Sequence, residues 1–362
     1  MIELLGNSIY RACKDVRKMI KKDEIYDWDY IFKELRLCNN SNLYPILYKS
    51  NITEILKMYL FTIPPGLSIK NFTKYSDEIK QFLNVDNIKI ELVNNLLSIK
   101  TYNLENIKYN YEDYEFSNEL KIPLGINLDT FKPVFWKPND PSQAHLLIGG
   151  STGGGKSVAL NVILTHLIKT RKDIKLYLQD TKMVDLYCFK EAKQVNYYGD
   201  GTNGIEEILL KLSTEMHRRY KLIRNAGFKD INGYRSVNRI PYLFLVIEEL
   251  ATFNPKIDKE FYNKLAEILA KGRGCGIYVI ITTQAPYAEI LPGILKNNIN
   301  ITLGLKAKTK EASRVICGSE DLINLKGKGH GIMYLSEKNY EIQCFNISES
   351  YIETVINENR KK

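Results

Sequence analysis

From about residue 141 to residue 350, short apolar runs alternate with amphipathic stretches. The apolar runs are His145–Ile148, Ile174–Leu178, Tyr242–Ile247, Ile277–Thr282 and Ile301–Leu305. Continuous runs of this kind are typical of strands buried on both faces of a sheet. Apolar residues recur at helical spacing between them, in Ser157–Thr170, Gly204–Asn225 and Asp258–Lys271. The pattern predicts an α/β domain with a mainly parallel central sheet over residues 141–350.

The first 140 residues follow a different pattern. Residues 1–55 place apolar side chains at helical spacing, which predicts a helical N-terminal appendage. A strand is predicted at Leu56–Pro64, a helix at Asn71–Val85, and a β-hairpin on either side of Asn94-Asn95. We therefore expect residues 56–140 to form a small α/β domain with a linker. Residues 351–362 are expected to be the end of a helix and a tail.

A glycine-rich turn follows the first strand of the larger domain and precedes a helix. It runs Gly150-Ser151-Thr152-Gly153-Gly154-Gly155-Lys156-Ser157, and Val158 continues into the helix. The order matches G-x-x-x-x-G-K-[ST] in the strand–loop–helix context that this motif requires. Glycines let successive N–H groups point at phosphate oxygens, and a helix N-terminus favours negative charge. We expect this loop to bind ATP, with Lys156 on the β- and γ-phosphates and the Ser157 hydroxyl on Mg²⁺.

Two further strands end in polar side chains. Tyr242–Ile247 is followed by Glu248-Glu249. In P-loop enzymes a carboxylate at this place holds Mg²⁺, and a neighbouring residue orients the attacking water. Glu248 is thus the expected metal ligand and Glu249 a catalytic residue, unless both are merely solvated. Gln284, after the Ile277–Thr282 run, is expected to face the ligand crevice and sense the γ-phosphate, unless it only caps the sheet edge.

Composition adds a basic charge to this picture. The 362 residues include 51 Lys and Arg against 42 Asp and Glu, a net charge of +9. Residues 211–235 hold only two acidic side chains against seven basic ones, Lys211, Arg218, Arg219, Lys221, Arg224, Lys229 and Arg235. Further lysines at Lys306, Lys308, Lys310, Lys326 and Lys328 add to this charge. Such charge suits contacts with nucleic-acid phosphates, and equally a solvated helix face.

The six cysteines are scattered, without the spacing of metal ligands, and no run of 18 apolar residues occurs. We therefore expect reduced thiols and a cytoplasmic protein with no membrane-spanning segment of its own.

Several stretches beyond the phosphate loop carry a family resemblance. They are Asp180-Thr181-Lys182-Met183-Val184-Asp185-Leu186, Glu215–Tyr220, Ala226–Tyr234, Arg273–Ile277 and Thr283-Gln284-Ala285-Pro286. Together they resemble the signatures of the FtsK/SpoIIIE-type DNA translocases, in the FtsK–HerA division of P-loop ATPases. Thr181 and Asp185 depart from the family's D-P-K-x-x-E-L pattern, and Glu248 stands where the family has an aspartate.

The resemblance implies a RecA-like P-loop ATPase core that forms a homo-hexameric ring and pumps double-stranded DNA through its channel. Arg273 matches a family arginine that reaches the nucleotide of the neighbouring subunit; the alternative is a surface arginine near a glycine-rich turn. Lys310, four residues before Arg314, matches a second basic position.

The family's N-terminal membrane helices and C-terminal winged-helix module are not recognised in this sequence. That favours DNA transfer of a mobile element, of the conjugation or coupling type, beside a membrane-bound transfer partner. Two other functions stay open: a motor for protein secretion, and an ATP-binding scaffold of a transfer complex.

Overall fold

The computed structural model describes residues 26–52, 56–85, 87–102, 108–284, 287, 289–335 and 338–361. The helical pattern of residues 1–25 and the Ala285-Pro286 pair lie outside these residues. The chain divides into two compact units, Met1–Ile107 and Lys108–Lys362. No helix in the described part of the chain is long and apolar enough to cross a bilayer.

In its described residues, the first unit is a four-stranded antiparallel sheet with three short helices. In space the strands lie in the order β1-β2-β4-β3. They are β1 (Ile46–Ile52), β2 (Leu56–Thr62), β3 (Asn87–Val93) and β4 (Leu96–Tyr102). The helices are α1 (Trp28–Glu34), α2 (Ile69–Thr73) and α3 (Ser76–Leu83). The hairpin predicted around Asn94-Asn95 is confirmed, and both asparagines adopt the positive φ angles, 50° and 64°, that a tight two-residue turn requires.

Residues 26–52 belong to this unit and do not form a separate helical appendage. Strand β1 pairs along its length with β2. The indole of Trp28 packs against Tyr59 and Phe61, with ring centroids 4.9 Å and 5.0 Å apart. The helical expectation was correct for Trp28–Glu34, which forms α1, and wrong for Ile46–Ile52. The polar and apolar residues of β1 alternate too irregularly for the strand to be recognised before its partner strand is known.

The second unit is built on a ten-stranded sheet in the order β6-β5-β14-β13-β12-β7-β11-β10-β8-β9. The six strands from β12 to β9 in this order are parallel, and the other four extend the sheet with antiparallel pairs. The strands are β5 (Ile122–Asn127), β6 (Pro133–Trp136), β7 (Leu146–Gly149), β8 (Ile174–Asp180), β9 (Val195–Asp200), β10 (Tyr242–Glu248), β11 (Ile277–Thr283), β12 (Ile301–Leu305), β13 (His330–Tyr334) and β14 (Asn339–Cys344). All five strands predicted from the apolar runs are confirmed.

Helices cover this sheet, and the three longest are the three predicted ones. The helices are α4 (Lys156–Thr170), α5 (Ile205–Asn225), α6 (Ile231–Arg235), α7 (Lys259–Lys271), α8 (Gly293–Lys296), α9 (Lys310–Cys317) and α10 (Glu349–Glu358). Strand β7 lies between β12 and β11, and α4 carries the chain from β7 across to β8. The connections to the neighbouring strands therefore change direction at β7. In α/β sheets, ligands bind in the crevice at such a point, beyond the carboxyl ends of the strands.

The division at residue 107 differs from the expected boundary at residue 140. Strand β5 pairs with β14, so residues 122–136 are part of the large sheet and not of a linker. Tyr111 is buried, and its hydroxyl lies 2.9 Å from Nδ1 of His166. Helix α10 ends at Glu358, in agreement with the expected end of a helix, and it buries Ile352 and Val355. The sequence pattern did not reveal that Tyr111 and residues 122–136 belong to this unit, because only isolated apolar residues in polar stretches anchor them. The residues that they pack against are distant in the sequence.

Candidate functional site

The glycine-rich loop between β7 and α4 presents a row of open N–H groups. Among the described residues, the backbone N–H groups of five loop positions have no hydrogen-bond acceptor: Thr152, Gly153, Gly155, Lys156 and Ser157. Glycines at 153 and 155 have φ angles of 78° and 108°, which let the backbone curl at this point. Open amides beside a helix N-terminus form a ready binding site for phosphate.

Two neighbouring segments hold this loop in place through hydrogen bonds. The backbone N–H and hydroxyl of Ser151 donate to the carbonyl of Lys306, at 2.7 Å and 2.9 Å. On another side, the N–H of Gly329 donates to the carbonyl of Gly154 at 2.8 Å. A Cβ atom at Gly155 would lie 2.8 Å from the nitrogen of Gly329, so only glycine fits there. Hydrogen bonds from other parts of the chain thus hold the loop in its curled conformation.

Lys156 is buried against the loop that it follows. Its Nζ donates to the carbonyl oxygens of Gly150 at 2.6 Å and Ser151 at 3.1 Å. Burial lowers the pKa of Lys156 to about 8, while the nearby carboxylate of Glu249 acts in the opposite direction. A phosphate group in the loop would give this ammonium a far better partner than two carbonyls.

Glu248 ends β10 with its carboxylate already engaged. Its Oε1 lies 2.5 Å from Nζ of Lys182, and its Oε2 accepts a hydrogen bond of 2.9 Å from the hydroxyl of Thr181. The side chain is buried, and burial raises the pKa of Glu248 against the opposing effect of the Lys182 ion pair. Strand β10 pairs in register with β8, so that Glu248 lies opposite Asp180. Two strand ends therefore meet here, and residues 180–186 begin at one of them.

Glu249 turns away from the strand at a φ angle of 56° and binds the end of β11. Each of its carboxylate oxygens lies 3.0 Å from the backbone nitrogen of Gln284, and Oε1 also accepts from the Thr283 hydroxyl at 3.2 Å. The Gln284 side chain accepts a hydrogen bond of 3.0 Å from the Thr152 hydroxyl. A continuous chain of contacts thus joins Glu249, through Gln284, to the tip of the phosphate loop. A left-handed φ at a non-glycine residue is a conformation that clusters at functional sites.

The donor set fits a nucleoside triphosphate with Mg²⁺. The open amides and Lys156 suit phosphate oxygens, and Ser157, the second residue of α4, has an exposed side chain. Mg²⁺ keeps several waters and usually takes one or two protein ligands besides the phosphates. Because Lys182 already holds Glu248, this carboxylate would bind the ion directly only if it shared or released that lysine.

Arg273 lies far from this site within one chain. It belongs to the turn Gly272–Cys275, before the amino end of β11, whereas the phosphate loop follows the carboxyl end of the neighbouring parallel strand β7. Seven residues of β11 separate the two edges, a distance of about 20 Å. The Arg273 side chain is exposed and donates to the carbonyl of Pro141 at 2.8 Å. Any role at a nucleotide would therefore require a second copy of the chain.

The basic stretch of residues 211–235 splits into exposed and internal side chains. Arg219 is buried and donates to Glu215 and to the carbonyls of Cys275 and Pro241. Arg235 pairs with Asp173 and lies over the ring of Tyr242 at 3.9 Å. Arg219 is therefore used inside the fold, and Arg235 is held by Asp173 in a partly buried position. The other five are exposed: Lys211, Arg218, Lys221, Arg224 and Lys229.

The sequence did not reveal the roles of Lys182 and of the turn at residues 327–329. Lys182 was visible only as part of the family signature, without a chemical function. The turn Gly327-Lys328-Gly329 contains two glycines but follows no strand-loop-helix pattern. Its contact with the phosphate loop joins residues about 175 positions apart, which no local pattern encodes.

Comparison with known proteins agrees with this geometry. Residues 115–253 match the model of the FtsK/SpoIIIE family. The DNA translocase FtsK of Staphylococcus epidermidis is 30% identical over 289 residues, covering 75% of this chain and 35% of that protein. The chain therefore spans about a third of the length of this curated relative.

Two solved structures share the fold. The pCW3 conjugation coupling protein TcpA, in its monomer form with ATPγS, superposes with a TM-score of 0.65 at 22% identity, over 91% of this chain and 98% of that chain. The cytoplasmic domain of the Thermomonospora curvata type VII secretion ATPase EccC gives 0.61 at 20% identity, over 69% of this chain and 32% of that chain. At these identities the likeness establishes the fold alone.

Proposed function

Because the chain belongs to the FtsK/SpoIIIE-type family of P-loop ATPases, we propose that it hydrolyses ATP to move double-stranded DNA. The observation that carries this proposal is the row of open amides between β7 and α4, beside the buried Lys156. Such a loop binds a triphosphate through backbone groups, and Glu248 at the end of β10 and Glu249 directly after it supply carboxylates next to the loop.

Roles for the individual residues follow from their positions. Gly150 to Val158 cradle the phosphates, while Ser157 holds Mg²⁺, with Glu248 beside it. Glu249 acts on the attacking water, because its buried carboxylate is joined through Gln284 to the tip of the loop. Gln284 reports on the γ-phosphate through the same contact.

Arg273 acts in trans in this proposal. Its exposed side chain lies at the amino ends of the strands, whereas the phosphate loop of the same chain lies at their carboxyl ends. The nucleotide that it contacts is therefore bound by a neighbouring copy. An arginine supplied across an interface raises turnover by a factor on the order of 10³–10⁵, since it neutralises charge in the transition state. This requires a ring or another closed assembly, of which the homo-hexamer is our proposal.

Duplex DNA as the cargo rests on the similarity to the DNA translocase FtsK and on the charge of this chain. Four exposed cations, Lys172, Lys175, Lys193 and Arg239, line a cavity at the amino ends of β8 and β10. A motor that moves along any sequence must grip phosphates and not base edges. We propose that this basic cavity and the exposed residues of α5 supply that grip, and that a mobile-element transfer system in the cytoplasm is the biological setting.

The direct test is ATP hydrolysis with and without linear duplex DNA, for the wild type and for Lys156→Ala. We expect duplex DNA to stimulate hydrolysis several-fold in the wild type and no hydrolysis in the variant. DNA affinity should fall steeply between about 50 and 200 mM salt, as counterion release requires. Absence of nucleotide binding by the wild type in the presence of Mg²⁺ would refute the proposal as a whole.

Protein secretion is the second candidate, and the shared fold with EccC is the observation that favours it. Hydrolysis stimulated by a secreted polypeptide and not by duplex DNA would select it. The scaffold alternative predicts that a variant such as Glu249→Gln loses hydrolysis but still supports transfer.

A further inference from the structure

The turn Gly327-Lys328-Gly329 carries an unusual backbone conformation next to the phosphate loop. All three residues have positive φ angles, 86°, 52° and 86°. Glycine adopts such angles freely, whereas a side-chain-bearing residue is strained there. A third glycine at position 328 would remove this strain. The backbone conformation therefore does not explain why position 328 is a lysine. Strained residues of this kind cluster at ligand sites.

This turn is built into the wall of the nucleotide site. The N–H of Lys328 donates to the carbonyl of Gly153 at 3.3 Å, and the N–H of Gly329 donates to the carbonyl of Gly154 at 2.8 Å. From behind, Gln343 donates its side-chain amide to the carbonyl of Lys328 at 2.8 Å. The turn is therefore held on both sides, and the Cα atom of Lys328 is fixed beside the loop whose amides are open.

The side chain of Lys328 is exposed, while both flanking glycines are buried. Within the described residues no carboxylate pairs with it. Its four-carbon stem begins beside Gly153 and is long and flexible, so its ammonium can reach a ligand on the loop. Lys156 and one Mg²⁺ leave a triphosphate with excess negative charge, which a second lysine would reduce.

We infer that Lys328 is a second lysine of the nucleotide site, which binds the phosphate chain of the nucleotide held by the same chain. It does not serve as a DNA contact, although the charge distribution alone grouped it with the lysines that grip DNA. The inference deepens the proposed function and rests on it, because it assumes that the loop binds a nucleoside triphosphate.

Lys328→Gly is the variant that separates this role from a structural one. Glycine suits the positive φ angle, so we expect thermal stability without nucleotide to stay the same or rise. The affinity of the full chain for ATPγS with Mg²⁺, measured by calorimetric titration, should fall about tenfold, or about 1.4 kcal/mol. Lys328→Arg keeps the charge and should retain most of the affinity.

Lys308→Gly is the matched control, since Lys308 is an exposed lysine in the other segment beside the loop. We expect it to bind ATPγS as the wild type does. Duplex DNA affinity without nucleotide should be unchanged in Lys328→Gly. Wild-type affinity for ATPγS in Lys328→Gly would overturn the inference, and so would a loss confined to DNA binding. If the wild type itself bound no nucleotide, the proposed function would fail and the inference with it.

Discussion

Arg218 and Arg219 are neighbours in α5 and both bind the carboxylate of Glu215, but one side chain is exposed to solvent and the other is buried. Arg218 Nε lies 2.7 Å and Arg219 Nε 2.9 Å from the oxygens of Glu215. The Arg218 side chain is 55% exposed, but that of Arg219 is 1% exposed. Arg219 also donates to the carbonyls of Pro241 at 2.7 Å and Cys275 at 3.0 Å. It thereby ties α5 to the start of β10 and to the turn that bears the proposed trans-acting arginine.

The perturbation is Arg219→Met, compared with Arg218→Met. Removing one partner of a buried ion pair costs about 3–5 kcal/mol, and each buried carbonyl left unpaired adds about 1–3 kcal/mol. Glu215 is partly exposed and keeps its ion pair with Arg218, and the methionine side chain fills part of the space left by arginine. We therefore expect the free energy of unfolding to fall by the low end of this range, about 3 kcal/mol. The exposed pair of Arg218 contributes no more than about 1 kcal/mol. A loss of about 3 kcal/mol is large against the usual 5–15 kcal/mol of a folded domain.

Urea unfolding can report on the large unit alone, because the chain has two tryptophans and only Trp136 lies in that unit. In a Trp28→Phe background, the fluorescence of Trp136 should give an unfolding midpoint that falls strongly for Arg219→Met and slightly for Arg218→Met. Hydrogen exchange should become faster in residues 272–276 for Arg219→Met only. Equal effects of the two variants, or a loss below about 1 kcal/mol for Arg219→Met, would refute the reasoning from burial.

Three further outcomes are expected. Glu249→Gln should bind ATP within about twofold of the wild type yet release phosphate about 10²–10⁴ times more slowly, the usual contribution of a general base; undiminished release would remove Glu249 from that role. Gly155→Ala should lower thermal stability and ATP affinity more than Gly153→Ala, because its new methyl would meet Gly329 whereas the space at 153 is open; equal losses would contradict the close approach. Burial opposes ionisation of Glu215, but hydrogen bonds from two arginines outweigh it and lower its pKa from 4.5 to about 2. The wild type should therefore have a larger free energy of unfolding than Glu215→Gln, with the full difference above pH 4.5 and a shrinking difference as the pH falls towards 2. Urea unfolding at several pH values measures this difference, and a difference that does not change with pH would contradict the expectation.

The phosphate loop and the strands around it were predictable from the sequence because their causes are local. Continuous apolar runs such as Tyr242–Ile247 specify strands that must be buried on both faces. Glycines at 153 and 155 provide the positive φ angles that the turn needs, and Lys156 follows them directly in the chain. The place of Glu248 and Glu249 at the end of a buried strand follows from the same pattern.

Partners that are distant in the chain were decided by the tertiary structure. Arg219 and Arg218 have the same charge and adjacent positions, and only packing against β10 and the 272–275 turn makes one internal. The ion pair of Lys182 with Glu248 likewise depends on β8 and β10 lying side by side. The boundary at residue 107 depends on β5 finding β14 near the other end of the chain. The local sequence determines the backbone preference of each segment and which of its residues tend to be buried. Each charged residue or strand has many possible partners, and its actual partner is selected only when the elements pack together in the whole fold.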